Sequence, residues 1–206
     1  MFTEDYPAHP MFCPQEITWG IKANNRTSSS SLTGSVQTVG LPGAVFTAGF
    51  VLPPRGVDAL ARLEGRQRAA FFLGLNGQAN RINFYDVLQP KPLGSINLAG
   101  VTLSVAAAQF AEQITLTGCG AGKTLAALDA FSIGLQFFRA RLPAVADASG
   151  VMLVKLVIPV RNALVVGAPV TLLRPRFKAM LTANDLSAGF GADGAQALGI
   201  DLQEVF

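Results

Sequence analysis

The sequence predicts a mainly β fold of the α+β class: a β-hairpin and sheet core with one packed amphipathic helix, plus an inserted small β-barrel or sandwich. Glycine and proline number 21 and 12 among 206 residues, a combined share above the roughly 12% average that favours tight turns. Short alternating stretches recur between turn signals. A single stretch has a helical period instead.

The first elements are an arm and a hairpin. Residues 1–16 hold three prolines and predict an N-terminal arm without regular structure, and the polar run 24–31 predicts a loop. Residues 34–39 and 44–52 predict two strands around a turn at 40–43, since Pro42 and Gly43 stand in the order that a type II turn prefers. Along the second strand Phe46, Ala48, Phe50 and Leu52 share one face.

A helix is predicted from Arg55 to Leu73, with Pro54 at its start, where a missing N–H costs nothing. At 100° per residue, one broad side collects the apolar residues Val57, Leu60, Ala61, Leu63, Phe71 and Phe72. The opposite side collects Arg55, Asp58, Arg62 and Arg66. Two pairs at i,i+4 spacing, Asp58–Arg62 and Glu64–Arg68, are expected on the exposed face.

The rest of the chain predicts short strands. One strand is expected at 81–87, and two more at 177–181 and 200–206, separated by a glycine-rich loop. Between them a series of β-type segments with turn signals predicts the barrel or sandwich; these segments are 101–105, 113–117, 131–140, 151–158 and 170–173.

The motif most similar to a phosphate-binding site runs from Gln113 to Thr124. There a predicted strand leads into a glycine-rich loop that ends with Gly122-Lys123-Thr124. A phosphate-binding P-loop needs its first glycine five residues before the second, and Thr117 stands there. The chain also lacks the alternating strands and helices of that fold. We therefore expect a β-turn loop with one solvated lysine, and keep nucleotide binding as a minor alternative.

Other catalytic constellations are not found. The chain has one histidine and two cysteines, His9, Cys13 and Cys119, which excludes the usual His and Cys metal sites. The 13 carboxylates are scattered without a marked spacing. No Gly-x-Ser-x-Gly motif accompanies the serine run. We expect no enzyme activity and no cofactor.

Composition favours self-assembly. Half of the residues are hydrophobic and 14% are charged, against roughly 25% in an average protein. This hydropathy excludes intrinsic disorder, and a surface so poor in charge is tolerated where other subunits cover it. The net charge of +3 is too small and too dispersed to predict nucleic-acid binding.

Five arginines form the densest basic neighbourhood: Arg55, Arg62, Arg66, Arg68 and Arg81. One interpretation is a solvated helix face. The other is a subunit interface in which these side chains pair with carboxylates of a neighbour, because the planar guanidinium binds a carboxylate through two hydrogen bonds.

Targeting and membrane segments are not expected. The chain opens without a basic region followed by an apolar stretch, and no apolar run approaches 18 residues. We expect synthesis in the cytoplasm and no membrane insertion.

The order of the motifs resembles the distal tail and minor tail proteins of long-tailed, siphovirus-type bacteriophages. In the first half the similar segments are Trp19, Ser35–Val39, Pro42–Phe46, the helix from Arg55, and Gly77–Asp86. In the second half they are Asp129–Gly134, Ala146–Gly150, Pro159–Arg161 and Gly167–Leu172. The likeness spans residues 17–206; the proline-rich N-terminus and the loop at 118–122 depart from it.

The resemblance implies a structural virion protein that forms a ring, commonly of six copies, at the far end of the tail. Its partners would be its own copies, the tail tube protein and the tip or baseplate hub. The implied organisation is an arm at 1–16, a ring-forming core from 17–92 and 176–206, and an inserted β-barrel domain at 93–175. Strand edges at 34–39 or 200–206 could then pair between subunits.

Three alternatives stay open. Another tail ring component, a tube or terminator protein, is the nearest of them. A P-loop-like nucleotide-binding protein is the second. A carbohydrate-binding β-sandwich is the third, although one tryptophan and two tyrosines offer few platforms for sugar rings.

Overall fold

The computed structural model describes residues 2–29, 36–191 and 194–205. The structure is 41% strand and 10% helical, which confirms the predicted mainly β, α+β class. In the described part of the chain one α-helix, α1, spans Ala59–Gly74, and a 3-10 turn spans Pro10–Phe12. The strands are β1 Thr3–Asp5, β2 Ile17–Ser29, β3 Val36–Leu52, β4 Arg81–Phe84, β5 Thr102–Leu103, β6 Gln113–Thr117, β7 Thr124–Leu125, β8 Ala130–Ile133, β9 Gln136–Arg139, β10 Ala144–Val145, β11 Met152–Lys155, β12 Val170–Thr171, β13 Phe177–Leu181, β14 Phe190–Gly191, β15 Gly194–Ala195 and β16 Leu198–Glu204.

A six-stranded sheet organises the molecule, in the order β1-β4-β13-β16-β3-β2. Only β1 runs parallel to its neighbour among these pairs; the others are antiparallel. Its inner face is apolar, and the alternation predicted for β3 is confirmed because Phe46, Ala48, Phe50 and Leu52 are all buried. Phe72 of α1 packs on one part of this face, and Phe137 packs on another.

The N-terminal segment is part of this core, so the prediction that it lacks regular structure is wrong. Thr3–Asp5 adds an edge strand beside β4. Tyr6 and Phe12 are 2% and 3% exposed, and the Tyr6 hydroxyl donates to the Phe12 carbonyl at 2.6 Å. The Tyr6 ring meets Phe84 edge to face, with centroids 4.9 Å apart. Burial of these aromatic side chains gives the segment a fixed conformation in spite of its three prolines.

The predicted turn at 40–43 is also wrong, because β3 continues through it. β2 pairs with β3 along its length, Asn24 opposite Leu41 and Ser29 opposite Val36, so residues 24–29 form strand and not the predicted loop. The register shifts between Lys22 and Asn24, beside Gly43 at φ +105°. This β-bulge accommodates the extra residues of β3, among them Pro42 and Gly43, without ending the strand. Residues 30–31 of the predicted loop and 34–35 of the predicted strand lie outside the described residues.

Helix α1 begins at Ala59 rather than at 55, because the Asp58 carboxylate caps it and accepts from the Ala61 N–H at 2.8 Å. Its buried residues are Gly65, Arg68, Ala69 and Phe72. The predicted apolar side is therefore wrong for three of its six members: Val57, Leu60 and Leu63 are 59%, 67% and 53% exposed. Glu64 pairs with Arg55, not with Arg68. Small residues on the buried side of α1 let the helix lie close to the elements that it packs against, where leucine side chains would not fit.

The strands within 93–175 form three small sheets, β10-β7, β11-β6-β5 and β12-β8-β9. Single bridges at Thr102–Pro169 and Ala140–Leu156 link the two larger ones, yet no closed barrel forms. Ladders of two to four residue pairs are too short to close one continuously. The predicted strand at 131–140 is a hairpin, β8–β9, whose turn contains Gly134 at φ +59°.

Other strand predictions agree more closely. The bounds predicted for β6 and β13 are confirmed. β4 ends at Phe84 rather than at 87, and β16 begins two residues earlier than expected, at Leu198.

Two hydrophobic clusters fill the interior. The first is built from residues between Ile96 and Leu172, and the second from the inner face of the six-stranded sheet. Ala130, Phe137 and Ile158 come from the first stretch of chain but belong to the second cluster. The predicted domain boundaries stay a prediction.

Candidate functional site

The free edge of β2, hereafter the β2 edge, is the longest exposed backbone edge among the described residues. β2 has 13 residues and pairs with β3 on one side only. From Ile21 to Ser29 every residue is exposed. A long unpaired edge offers a row of N–H and C=O groups to a second chain.

An apolar pocket flanks this edge on the inner side of the sheet, and we call it the Trp19 pocket. It has a volume of about 260 Å³ and is lined by Trp19, Gly20, Ile21, Phe46, Leu128, Arg139 and Val157. Ile21 and Leu128 at its rim are 47% and 56% exposed. Strand addition uses such pockets for specificity while the main chain supplies hydrogen bonds.

A polar network holds the pocket's tryptophan in place. The Trp19 indole N–H donates to Asp86 Oδ2 at 2.9 Å, and Arg139 Nη2 donates to the same oxygen at 3.3 Å. The Arg139 guanidinium lies 4.1 Å from the Trp19 ring centroid. Burial lowers the pKa of Arg139, and the Asp86 carboxylate acts against that shift. The floor of the pocket is therefore a fixed aromatic surface rather than a mobile one.

The outer face of the sheet carries a larger groove beside the same strand. Its volume is about 750 Å³, and Thr18 and Gly20 of β2 line it together with residues of β3 and β16. Its charged lining residues are Glu16 and Asp201. Residues 18–21 of β2 thus have a concave surface on each face of the sheet, next to the exposed part of the β2 edge.

Three of the predicted interface arginines surround the start of α1. Arg55 Nε lies 3.4 Å from Glu64 Oε2, an ion pair within the chain. Arg62 and Arg66 are exposed on the helix. None of the three lines the Trp19 pocket or the outer groove.

The other two arginines, Arg68 and Arg81, donate hydrogen bonds to backbone carbonyls of their own chain. Arg68 is 2% exposed and donates to the carbonyls of Met11 and Pro53. Arg81 donates to the carbonyls of Gln78 and Asn80, at 2.6 and 3.2 Å. The prediction that Arg68 pairs with a neighbouring subunit does not agree with its burial, because its guanidinium is enclosed by its own chain. Whether the remaining four meet a neighbour stays a prediction.

The glycine-rich loop at 118–122 is folded against its own surroundings. The Cys119 N–H donates to the Gly150 carbonyl and the Gly122 N–H to the Ala146 carbonyl, at 3.1 and 3.2 Å. Strand β7 follows the loop, where a P-loop has a helix whose N-terminus faces the phosphate. These two amides point at carbonyls rather than at a ligand, so the geometry does not favour the nucleotide-binding alternative.

The described residues contain no group of three His, Cys, Asp or Glu side chains placed to hold a metal ion. Cys13 is exposed and Cys119 is buried, and both are free thiols. Among the described residues there is no helix long and apolar enough to span a membrane.

Sequence reasoning missed the Trp19 pocket. The available signal was Ile17, Trp19 and Ile21 at period two, which places three large apolar side chains on one face of a strand. The pocket's other residues, Leu128 and Arg139, come from distant parts of the sequence and only the fold brings them here.

No model of a known protein family matches the chain. A search of curated proteins likewise finds no match.

Proposed function

We propose that this chain is a non-enzymatic structural subunit that assembles with its own copies into a ring at the distal end of a phage tail. The observation that supports self-assembly is the β2 edge, which is exposed from Ile21 to Ser29 and has a concave surface on each face at residues 18–21. Pairing of this edge with a different surface on the next copy is a heterologous contact, and such contacts close into rings when the rotation permits.

The edges available for pairing differ in part from those expected. β16 lies between β13 and β3, so residues 200–204 of the edge predicted at 200–206 are already paired within the chain; residue 206 lies outside the described residues. Of the edge predicted at 34–39, the described residues Val36–Val39 pair with β2 on one side, and the ladder with β16 ends at Thr47. The ribbon formed by β2 and the first part of β3 therefore extends beyond the sheet.

The placement at a tail tip rests on the sequence resemblance. In this assignment the ring joins the tail tube to the hub that contacts the host, and six copies are expected. A tube or terminator subunit would use the same self-pairing edge, and its position along the tail distinguishes it.

Self-assembly is tested by light scattering coupled to size-exclusion chromatography, on the full chain over a range of concentrations. We expect a mass several times 21.6 kDa. Ile21→Lys should shift the mass toward the monomer, because a charge at an exposed edge position opposes strand pairing. The matched control is Leu153→Lys, at an exposed apolar strand residue of β11, 52% exposed, which should leave the mass unchanged. A wild-type monomer at every concentration contradicts self-assembly.

The position in the tail is tested separately. Purified tail tubes mixed with the chain should show an added ring at one end by negative-stain electron microscopy. Rings along the tube or at the head-proximal end contradict a distal placement while leaving self-assembly intact.

A further inference from the structure

A second groove lies apart from the β2 edge, where the six-stranded sheet meets the small sheet β12-β8-β9. Its volume is about 460 Å³, within the range of small-ligand sites. None of its lining residues belongs to the Trp19 pocket or the outer groove. We call it the junction groove.

Three cations line this groove: Arg174, Arg176 and Lys178. Arg174 lies in a bend, and Arg176 and Lys178 follow it at alternate positions of the segment that leads into β13. Arg176 Nη1 contacts Asp5 Oδ2 at 2.5 Å, so its charge is compensated. Arg174 and Lys178 make no ion pair with any described residue. Two uncompensated positive charges therefore face the groove.

Three neutral hydrogen-bonding residues, Ser132, Thr171 and Asn83, line the same groove. Ser132 of β8 stands opposite Thr171 of β12, and Asn83 of β4 stands opposite Lys178 of β13. The hydroxyls and the cations come from two different sheets. Donors arriving from separate directions suit a tetrahedral anion, whose oxygens diverge, better than a planar carboxylate.

Arg174 has a backbone conformation that an ordinary surface residue rarely adopts. Its φ is +50°, in the left-handed region where side chains other than glycine cost free energy. Its N–H donates to the Pro90 carbonyl at 2.6 Å, and its guanidinium lies 5.7 Å from the Tyr85 ring centroid. The Pro90 hydrogen bond and the Tyr85 contact hold the residue in this bend beside the groove that it lines.

We infer that the junction groove binds a phosphate ester, with the phosphate between Arg174 and Lys178 and the organic group along Leu135 and Leu173. These two leucines line the groove and are 74% and 54% exposed. A small ligand is favoured over a nucleic acid because three cations line the groove, fewer than the extended basic surface that a nucleic acid needs.

The inference is tested by isothermal titration calorimetry at low salt with phenyl phosphate, inorganic phosphate and benzoate as probes. Phenyl phosphate should bind most tightly, because only it supplies both a tetrahedral anion and an apolar group. Benzoate binding as tightly as phenyl phosphate overturns the preference for phosphate. Inorganic phosphate binding equally well overturns the assignment of an ester.

Variants locate the site. Arg174→Gly relieves the left-handed strain and should preserve the fold, while weakening phenyl phosphate binding about tenfold or more, as the loss of a charged hydrogen bond predicts. Lys178→Gln should weaken binding similarly. Lys155→Gln removes the same charge from an exposed position on β11 outside the groove and should have no effect.

Two results would overturn the site itself. One is the absence of phenyl phosphate binding at millimolar concentration by folded wild-type protein. The other is equal weakening by all three variants, since that identifies a response to net charge only. Binding of a short single-stranded oligonucleotide without phenyl phosphate binding likewise excludes a small-ligand site and indicates a nucleic-acid surface.

Discussion

Glu204 and Arg161 form a buried ion pair between the last strand and the stretch that precedes β12. Arg161 donates to Glu204 Oε2 and Oε1 at 2.7 and 2.6 Å, and Glu204 Oε2 also accepts from the Phe46 N–H at 3.1 Å. Burial raises the pKa of Glu204, against the attraction of Arg161. A pair of this kind contributes less than its short distances imply, but removal of one partner leaves an uncompensated buried charge.

Replacing Glu204 with glutamine tests this pair. The amide keeps the shape but not the charge, so we expect the free energy of unfolding to fall by about 3–5 kcal/mol, measured by chemical denaturation. The matched control is Glu112→Gln at an exposed glutamate, expected to change stability by less than about 0.5 kcal/mol. Equal effects of the two substitutions would show that the ion pair is not a stabilising contact.

Cys119 and Cys13 should differ sharply in reactivity. Cys119 is fully buried, and burial raises the pKa of its thiol from 9.0 to about 11. The thiolate is the reactive form, so a thiol reagent at pH 8 should label the exposed Cys13 rapidly and Cys119 only on unfolding. Because its pKa is raised in the folded state, the thiol's contribution to stability is present below pH 9 and is lost as pH rises toward about 11. Rapid native labelling of both thiols, or of a Cys13→Ser variant, contradicts this burial.

At the scale of elements, α1 depends on close approach to β15. A Cβ added at Gly65 would overlap the Cβ of Ala195, whereas a Cβ added at Gly74, in the same helix, would meet no atom within 4 Å. The two glycines therefore have different roles. Gly65 permits packing, and Gly74 merely lowers helix propensity.

The matched substitutions Gly65→Ala and Gly74→Ala should consequently have opposite signs. Gly65→Ala should lower the free energy of unfolding by about 1–3 kcal/mol through overpacking. Gly74→Ala should raise it by up to about 1 kcal/mol, because alanine favours the helix. Thermal or urea unfolding measures both, and a stabilised Gly65→Ala would show that the helix sits farther from β15.

At the scale of the whole molecule, the two hydrophobic clusters are interlocked rather than merely adjacent. Phe137 belongs to the sheet cluster, and its neighbour Phe138 belongs to the other. Trp19 stacks on Phe137, with centroids 5.8 Å apart. The chain's single tryptophan therefore reports on the contact between the sheet cluster and strand β9, from which the other cluster begins at Phe138.

We expect the chain to unfold in one cooperative transition, with Trp19 fluorescence and far-ultraviolet circular dichroism coinciding. Met152→Ala, a cavity in the cluster that does not contain Trp19, should lower the free energy of unfolding seen by both probes equally, by about 2–5 kcal/mol. Separate transitions would instead show that residues 93–175 unfold independently of the sheet.

Local sequence patterns predicted much of the fold. Period-two alternation located β3's buried face, and β6 and β13 have the bounds that their residues predict, because an alternating strand is specified by its own sequence. The mainly β, α+β class was predicted from the composition and from the turn residues. The arginine cluster, by contrast, had two interpretations from residue type alone, a solvated helix face or a subunit interface, and Arg68 is buried against two backbone carbonyls.

Sequence by itself determined that this chain is mainly β, with one helix and short turn-bounded strands. Tertiary structure alone decided which side of α1 is buried, since Gly65 and Ala69 admit β15 while Leu60 and Leu63 do not. It also placed Tyr6 and Phe12 in the core, and it let β3 continue through Pro42 and Gly43, where a turn was predicted. The physical reason is that burial depends on partners far away in the chain, whose side chains and backbone groups no local pattern records.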